Sequence, residues 1–163
     1  MIELDRARWS DFLKPDSLSE LSTFGALSRN CVHFMLNRGR LLRLEPGEVL
    51  YRPGTSSGSF FVLLDGALRF YKHFPRCDVF TRVFRSGEQL GFDAMIGLHE
   101  RTGTPVAMEP LLILEISVEL FHDIHLHYPA DFGLIMINLA RELSREIAAL
   151  EEVIGQSSGW MPG

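Results

Sequence analysis

Between Leu41 and Ser117 the chain is a succession of short apolar segments cut by glycine, and few folds accept that pattern. The segments Leu42–Leu44, Val49–Tyr51, Phe60–Leu64, Leu68–Phe74 and Val79–Phe84 are rich in β-branched, aromatic and leucine residues. Such residues suit a pleated, half-buried surface. Gly47, Gly54, Gly58, Gly66, Gly87 and Gly91 separate them. Asp65-Gly66 between two apolar runs is a hairpin signal, because both residues tolerate the backbone of a tight turn. Thr104–Met108 and Leu111–Ile116, joined at Glu109-Pro110, add two further strands. Strands this short and this close together predict a mainly β fold that closes on itself: a double-stranded β-helix or jelly-roll barrel.

Helices are predicted on both sides. Pro15-Asp16-Ser17 followed by Glu20 has the spacing of a capping box. Ser28–Arg38 carries Val32, Met35 and Leu36 at helical spacing and is stopped by Gly39. After Ser117 the period returns to 3.6. Val118–His125 forms a short helix, and Tyr128-Pro129 breaks it. A long helix follows from Ala130 to about Ile154, with Phe132, Met136, Leu139, Leu143, Ile147, Leu150 and Ile154 in one apolar stripe. Such a helix is about 35 Å long, and a barrel face covers its first turns. The later part, with Leu139, Leu143, Ile147, Leu150 and Ile154, is a candidate homodimer seam; a helix folded back on its own barrel is the alternative. The organisation expected is therefore N-terminal helices over 1–40, a β-roll over 41–117, C-terminal helices over 118–155 and a tail over 156–163.

Within the roll, residues 86–107 have the layout of an anion cradle: Gly91, Phe92, Asp93, Ala94 and Met95, then Arg101, Thr102 and Gly103. Small residues let backbone amides approach a ligand, and a helical turn at about Phe92–Gly97 offers N–H groups to negative charge. A guanidinium adds charge-assisted, often bidentate contacts. Arg101 also has an ordinary reading, since an arginine beside Glu100 in a polar loop is commonly a solvated surface charge.

The remaining features mostly exclude functions. A net charge of −5 and a pI near 5.7 argue against a dedicated nucleic-acid binder, which neutralises phosphates with Lys and Arg. Cys31 and Cys77 stand in no metal-type or redox-type spacing, which fits a reduced, cytoplasmic protein. No apolar run is long enough to span a membrane, and Met1–Trp9 lacks the apolar core of a signal peptide. His122, His125 and His127 are expected to be a solvated helix end rather than a metal site. No catalytic arrangement has supporting context, so an enzyme is not expected.

Taken in order, Leu44-Glu-Pro-Gly47-Glu-Val-Leu-Tyr51, Gly54, Phe60–Tyr71 with Asp65-Gly66, Gly87-Glu-Gln-Leu-Gly91 and Arg101-Thr-Gly-Thr-Pro-Val-Ala107 resemble the cyclic-nucleotide-binding domain. The likeness is to the sensor half of CRP/FNR bacterial regulators and covers roughly residues 20–154. The resemblance implies a cyclic nucleotide, cyclic AMP or cyclic GMP, inside the roll. Its phosphate would lie on Arg101 and on amides near Ala94 and Thr102. It also implies a carboxylate on the ribose hydroxyl, but Phe92 stands at that position here, with Asp93 beside it. The residues that would read adenine fall at Glu146 and Ile147, which are not hydroxyl residues. Gly91-Phe-Asp-Ala94 is similar to the oxygen-sensing branch, yet that branch's cysteine cluster is missing. Only residues 155–163 follow Ile154, so a DNA-reading helix-turn-helix is not expected in this chain, and the output protein is expected to be a separate one. The function implied is a sensor module for a cyclic nucleotide or related anion; the alternative is a fold that has lost its ligand and acts as an interaction module.

Overall fold

The structure, a computed structural model, describes residues 1–5, 18 and 20–158. The capping box expected at Pro15–Glu20 lies largely outside the described residues. The described residues form eight strands: β1 (Ile2–Leu4), β2 (Arg40–Leu44), β3 (Ser59–Asp65), β4 (Ala67–Phe74), β5 (Cys77–Arg85), β6 (Gln89–Leu90), β7 (Gly103–Ala107) and β8 (Leu111–Ser117). Among the described residues they are accompanied by the α-helices α1 (Arg29–Arg38), α2 (Phe92–Ile96), α3 (Val118–His127) and α4 (Pro129–Ser158). One sheet has the order β1-β2-β8-β3-β6 and the other β5-β4-β7, with every pairing antiparallel. This is the jelly-roll architecture expected, with a long C-terminal helix.

Period-two alternation in the strands creates two separate cores. Phe60, Val62 and Leu64 of β3, with Leu112, Leu114 and Ile116 of β8, face the helices and pack with Met35 and Leu36 of α1, Phe121 and Ile124 of α3, and Ile135 and Leu139 of α4. Phe61 and Leu63, with Leu42, Leu44, Leu111 and Ile113, face inward and fill the roll with Leu68, Phe84 and Leu90. A residue's place along β3 therefore decides whether it supports the helices or lines the roll.

Several local expectations are corrected. Ile2–Leu4 is a strand that extends the first sheet, in a region expected to be helical. Val49–Tyr51 is not a strand: it makes a single bridge, Val49 to Val106. Gly39 ends α1 with extended rather than left-handed backbone. It is glycine because a Cβ there would lie 2.6 Å from Leu114 Cδ1 and 2.8 Å from the Glu115 carbonyl. Helix α4 runs through Gly155 to Ser158, so the expected tail begins later. At 30 residues it is about 45 Å long.

Helix α4 splits at about Leu143. Leu139 is fully buried in the helix-side core, which corrects its assignment to a seam between copies. Leu143 is half-buried against the same core. Beyond it, Ile147, Leu150, Val153 and Ile154 are all exposed. Because Leu139 touches its own core from all sides, Leu139→Ala is expected to cost about 2–5 kcal/mol in urea unfolding; a cost below about 1 kcal/mol would contradict this placement.

Candidate ligand site in the roll

Arg101 sits just before β7, between two polar neighbours, and is nevertheless only 3% exposed. Its backbone is clamped by the preceding loop: Arg101 N–H donates to the Thr55 carbonyl at 3.0 Å, and its own carbonyl accepts from Gly54 N–H at 2.9 Å. The side chain turns into the roll. One guanidinium nitrogen donates to the Gly91 carbonyl at 3.0 Å and another donates to the Ser59 carbonyl. The guanidinium carbon lies 4.6 Å from the Tyr51 ring centre and 5.4 Å from that of Phe61, rings that are stacked at 5.8 Å. Cation–π contacts of this kind strengthen when water is excluded. Arg101 is thus no solvated surface charge.

The electrostatics of this seat are uneven. Burial lowers the pKa of Arg101, a push opposed by nearby negative charge on Asp93 and Glu115. Burial likewise raises the pKa of Tyr51. Among the described residues no carboxylate makes an ion pair with Arg101. Its partners are two neutral carbonyls and two rings.

The remaining cradle residues divide. Gly91 has φ +83°, and a Cβ there would fall 2.0 Å from Arg101 Nη1. It is glycine both for its left-handed backbone and for the arginine. Phe92 is buried in the helix-side core, edge-on to Phe60 at 5.4 Å and to Phe121 at 5.9 Å. Met95 joins the same core. Both were expected to meet a ligand, and their side chains instead join the helix-side core, where Phe92 packs α2 against α3. Ala94 is buried, with its carbonyl accepting from Ser57 Oγ at 3.1 Å and from His99 N–H at 3.2 Å. Asp93 is exposed in the first turn of α2. Thr102 is half-buried, and its carbonyl accepts from His73 N–H at 3.0 Å. Gly103 is pressed against β4, where a Cβ would lie 2.4 Å from Phe70 Cζ. The structure therefore gathers Gly91, Asp93, Arg101 and Thr102 around the roll's edge and takes the side chains of Phe92 and Met95 away from it.

Four residues outside the predicted set complete the site. The stacked rings of Tyr51 and Phe61 lie against the guanidinium, Ser59 accepts from it, and Gln89 Oε1 accepts from Phe92 N–H at 3.2 Å. Tyr51 ends the Leu44–Tyr51 motif, but nothing local marks its ring as an arginine partner. Glu146, expected near a base, instead pairs with Arg82 at 2.7 Å, and Ile147 is exposed. A cleft of about 490 Å³ lies outside the roll beside Ser59, and its Arg38 and Arg40 are already paired with Asp123 and with Glu3 and Glu115. His122 and His125 have ring centres 6.3 Å apart, and His125 lies against Phe132 at 4.9 Å. Among the described residues no three His, Cys, Asp or Glu side chains are placed to hold a metal, and no helix is long and apolar enough to cross a membrane.

Residues 41–128, more than half of the chain, match the family model of the cyclic nucleotide-binding domain. The chain belongs to that family. No match was found among curated proteins. Among solved structures, the chain is similar to a cyclic nucleotide-binding domain from Methylobacillus flagellatus, with a TM-score of 0.82 and 17% identity over 99% of this chain and 90% of that one. It is also similar to the catabolite activator protein of Thermus thermophilus, with a TM-score of 0.70 and 20% identity over 84% of this chain. The third is the c-di-GMP-responsive global regulator of Xanthomonas campestris, with a TM-score of 0.73 and 16% identity over 82%. The chain spans 63% and 66% of the lengths of those two regulators. At these identities the likeness is one of fold.

The seat of Arg101 depends on the bare backbone of Gly91. Gly91→Ala is expected to expel the guanidinium and to strain a left-handed residue, lowering stability by about 1–3 kcal/mol. Thermal unfolding measures this, and an unchanged midpoint would contradict the packing described.

Proposed function

We propose that the chain is a regulatory sensor domain whose roll takes an anionic ligand, a cyclic nucleotide in the first instance, on Arg101. The observation that carries this reading is a guanidinium buried inside the roll with no carboxylate paired to it among the described residues. A cation removed from water is costly unless it is compensated by opposite charge. Two carbonyls compensate it partly; a phosphate would do so fully, through charge-assisted bidentate bonds. Membership of the cyclic nucleotide-binding family supports the same assignment.

The ribose side of the site differs from the family expectation, because Phe92 is committed to the helix-side core. Asp93, exposed one residue on, is the carboxylate left at this edge. The reading therefore rests on phosphate capture more than on sugar recognition. The output would pass through α4, whose first half is anchored on the body and whose second half presents Ile147, Leu150, Val153 and Ile154. We assign that exposed stripe, with Leu143 at its edge, to a homodimer contact. A ligand shifts such a helix only if it binds one arrangement more tightly than another.

A second reading has its own support. Arg101 is already seated on the Gly91 and Ser59 carbonyls, and apolar side chains fill the roll beside it. On that reading the fold acts as an interaction module through α4 without a small ligand.

Calorimetric titration with cyclic AMP, cyclic GMP and cyclic di-GMP separates the two. The sensor reading expects saturable heat with at least one of them and a loss of about ten- to a hundredfold in affinity for Arg101→Gln, the value of one or two bonds to a charged group. Absence of heat with all three at millimolar ligand would leave the second reading. For the helix contact, Leu150→Glu is expected to convert a sedimenting dimer to a monomer without loss of fold; a monomeric wild type would end the assignment.

A further inference from the structure

Among the described residues one carboxylate is buried, and it lies where α4 meets the roll. Glu142 is 7% exposed. It faces the 3-10 turn Ser22–Phe24 on one side and the turn between β5 and β6 on the other. The two turns are in direct contact, and Gly87 is glycine there because a Cβ would lie 2.9 Å from Ser22 N. Ser22 Oγ lies 2.8 Å from the Gly87 carbonyl and 2.9 Å from Glu142 Oε1. Thr23 Oγ1 lies 2.7 Å from the Gly87 carbonyl and 3.2 Å from Glu142 Oε1. Gln89 N–H donates to Glu142 Oε2 at 3.2 Å.

Counting hydrogens decides how this cluster is wired. The four oxygen–oxygen contacts share two hydroxyl hydrogens, since each hydroxyl donates once. With an ionised Glu142, two of the four contacts are oxygen against oxygen with nothing between. A proton on Oε1 lets the carboxyl donate to one hydroxyl, freeing that hydroxyl to donate to the Gly87 carbonyl, and a third contact becomes a hydrogen bond. The surrounding charge points the same way. Arg82, on β5, is taken up by Glu88 at 2.9 Å and by Glu146 at 2.7 Å rather than by Glu142. Glu88 in the β5–β6 turn adds negative charge, as does Glu146 one turn along α4. Arg145 lines an open cleft together with Glu142, Arg82, Glu88 and Glu146, and the Ser22–Phe24 turn brings no titratable side chain.

We propose that Glu142 keeps its proton above the pH at which ordinary glutamates lose theirs, and that its ionisation loosens α4 from the roll. The latch is independent of whether the roll holds a ligand. Burial is the main cause raising the Glu142 pKa, with the hydroxyl and amide donors opposing it. The folded chain therefore holds a proton that the unfolded chain has released. The latch's contribution is whole below the usual glutamate range and is lost as the pH climbs through the folded value. An open cleft of about 380 Å³ between β5 and α4 gives water access to the group.

The test is a carbon-13 titration of the glutamate side-chain carboxyls in the wild-type protein, with Glu142 assigned through its own backbone and checked against Glu142→Gln. Glu142 is expected to titrate above the range of the exposed glutamates, with the Gln89 amide moving at the same midpoint. Thermal midpoints of wild type are expected to fall relative to Glu142→Gln, by at least about 2 °C, as the pH rises through that midpoint. A Glu142 carboxyl that titrates at about 4.3, the ordinary glutamate value, would overturn the proposal. So would parallel midpoints for the two proteins. If Glu142→Gln does not fold, the wild-type titration decides alone.

Discussion

The placement of one charge organises this molecule. Arg101 stands between polar neighbours in sequence, yet its guanidinium is drawn into the roll and held by carbonyls from two different segments, Gly91 and Ser59. That seat fixes several things at once. It requires a residue without a Cβ at Gly91, it needs the loop at Gly54 and Thr55 to close over the backbone, and it needs the stacked pair of Tyr51 and Phe61 beside it. It also leaves a cation in a dry environment with neutral partners, an arrangement that anions stabilise and that apolar occupants do not.

Around that seat the two cores keep separate roles. The inward-facing residues of β2, β3 and β8 fill the roll, and the outward-facing ones carry α1, α3 and α4. Phe92 belongs to the second set. Its ring meets Phe60 and Phe121, and Phe121 in turn meets Phe132 of α4 at 4.9 Å. The α2 turn next to Arg101 is therefore packed through aromatic rings onto the long helix. Glu142 and the Arg82–Glu146 pair hold the same helix to the roll about three and four turns further on. What a ligand would contact and what α4 rests on are thus a few residues apart.

Much of this was legible in the sequence, and the limits have physical causes. The glycine spacing and the strand composition of 41–117 predict the roll, because turns and pleated surfaces are local requirements. The apolar stripe of α4 is visible for the same reason. Four features were not legible. Ile2–Leu4 is too short to show a period, and it is a strand only because β2 offers a free edge. Leu139 and Ile147 look alike on the stripe, and only the extent of the body decides that one is buried and the other exposed. Arg101 beside Glu100 resembles a surface charge, and its burial is set by Tyr51, Ser59 and Phe61, all distant in sequence. Glu142 among Arg141 and Arg145 is hidden in the same way.

The role of the roll turns on whether the buried guanidinium meets an anion. Its side-chain nitrogen resonances report this directly in nitrogen-15 spectra, assigned by comparison with Arg101→Lys. On titration with cyclic AMP, cyclic GMP or cyclic di-GMP, the account predicts that the Arg101 guanidinium signals shift and saturate with at least one of them. Signals that stay in place with all three, at millimolar concentration, would contradict it.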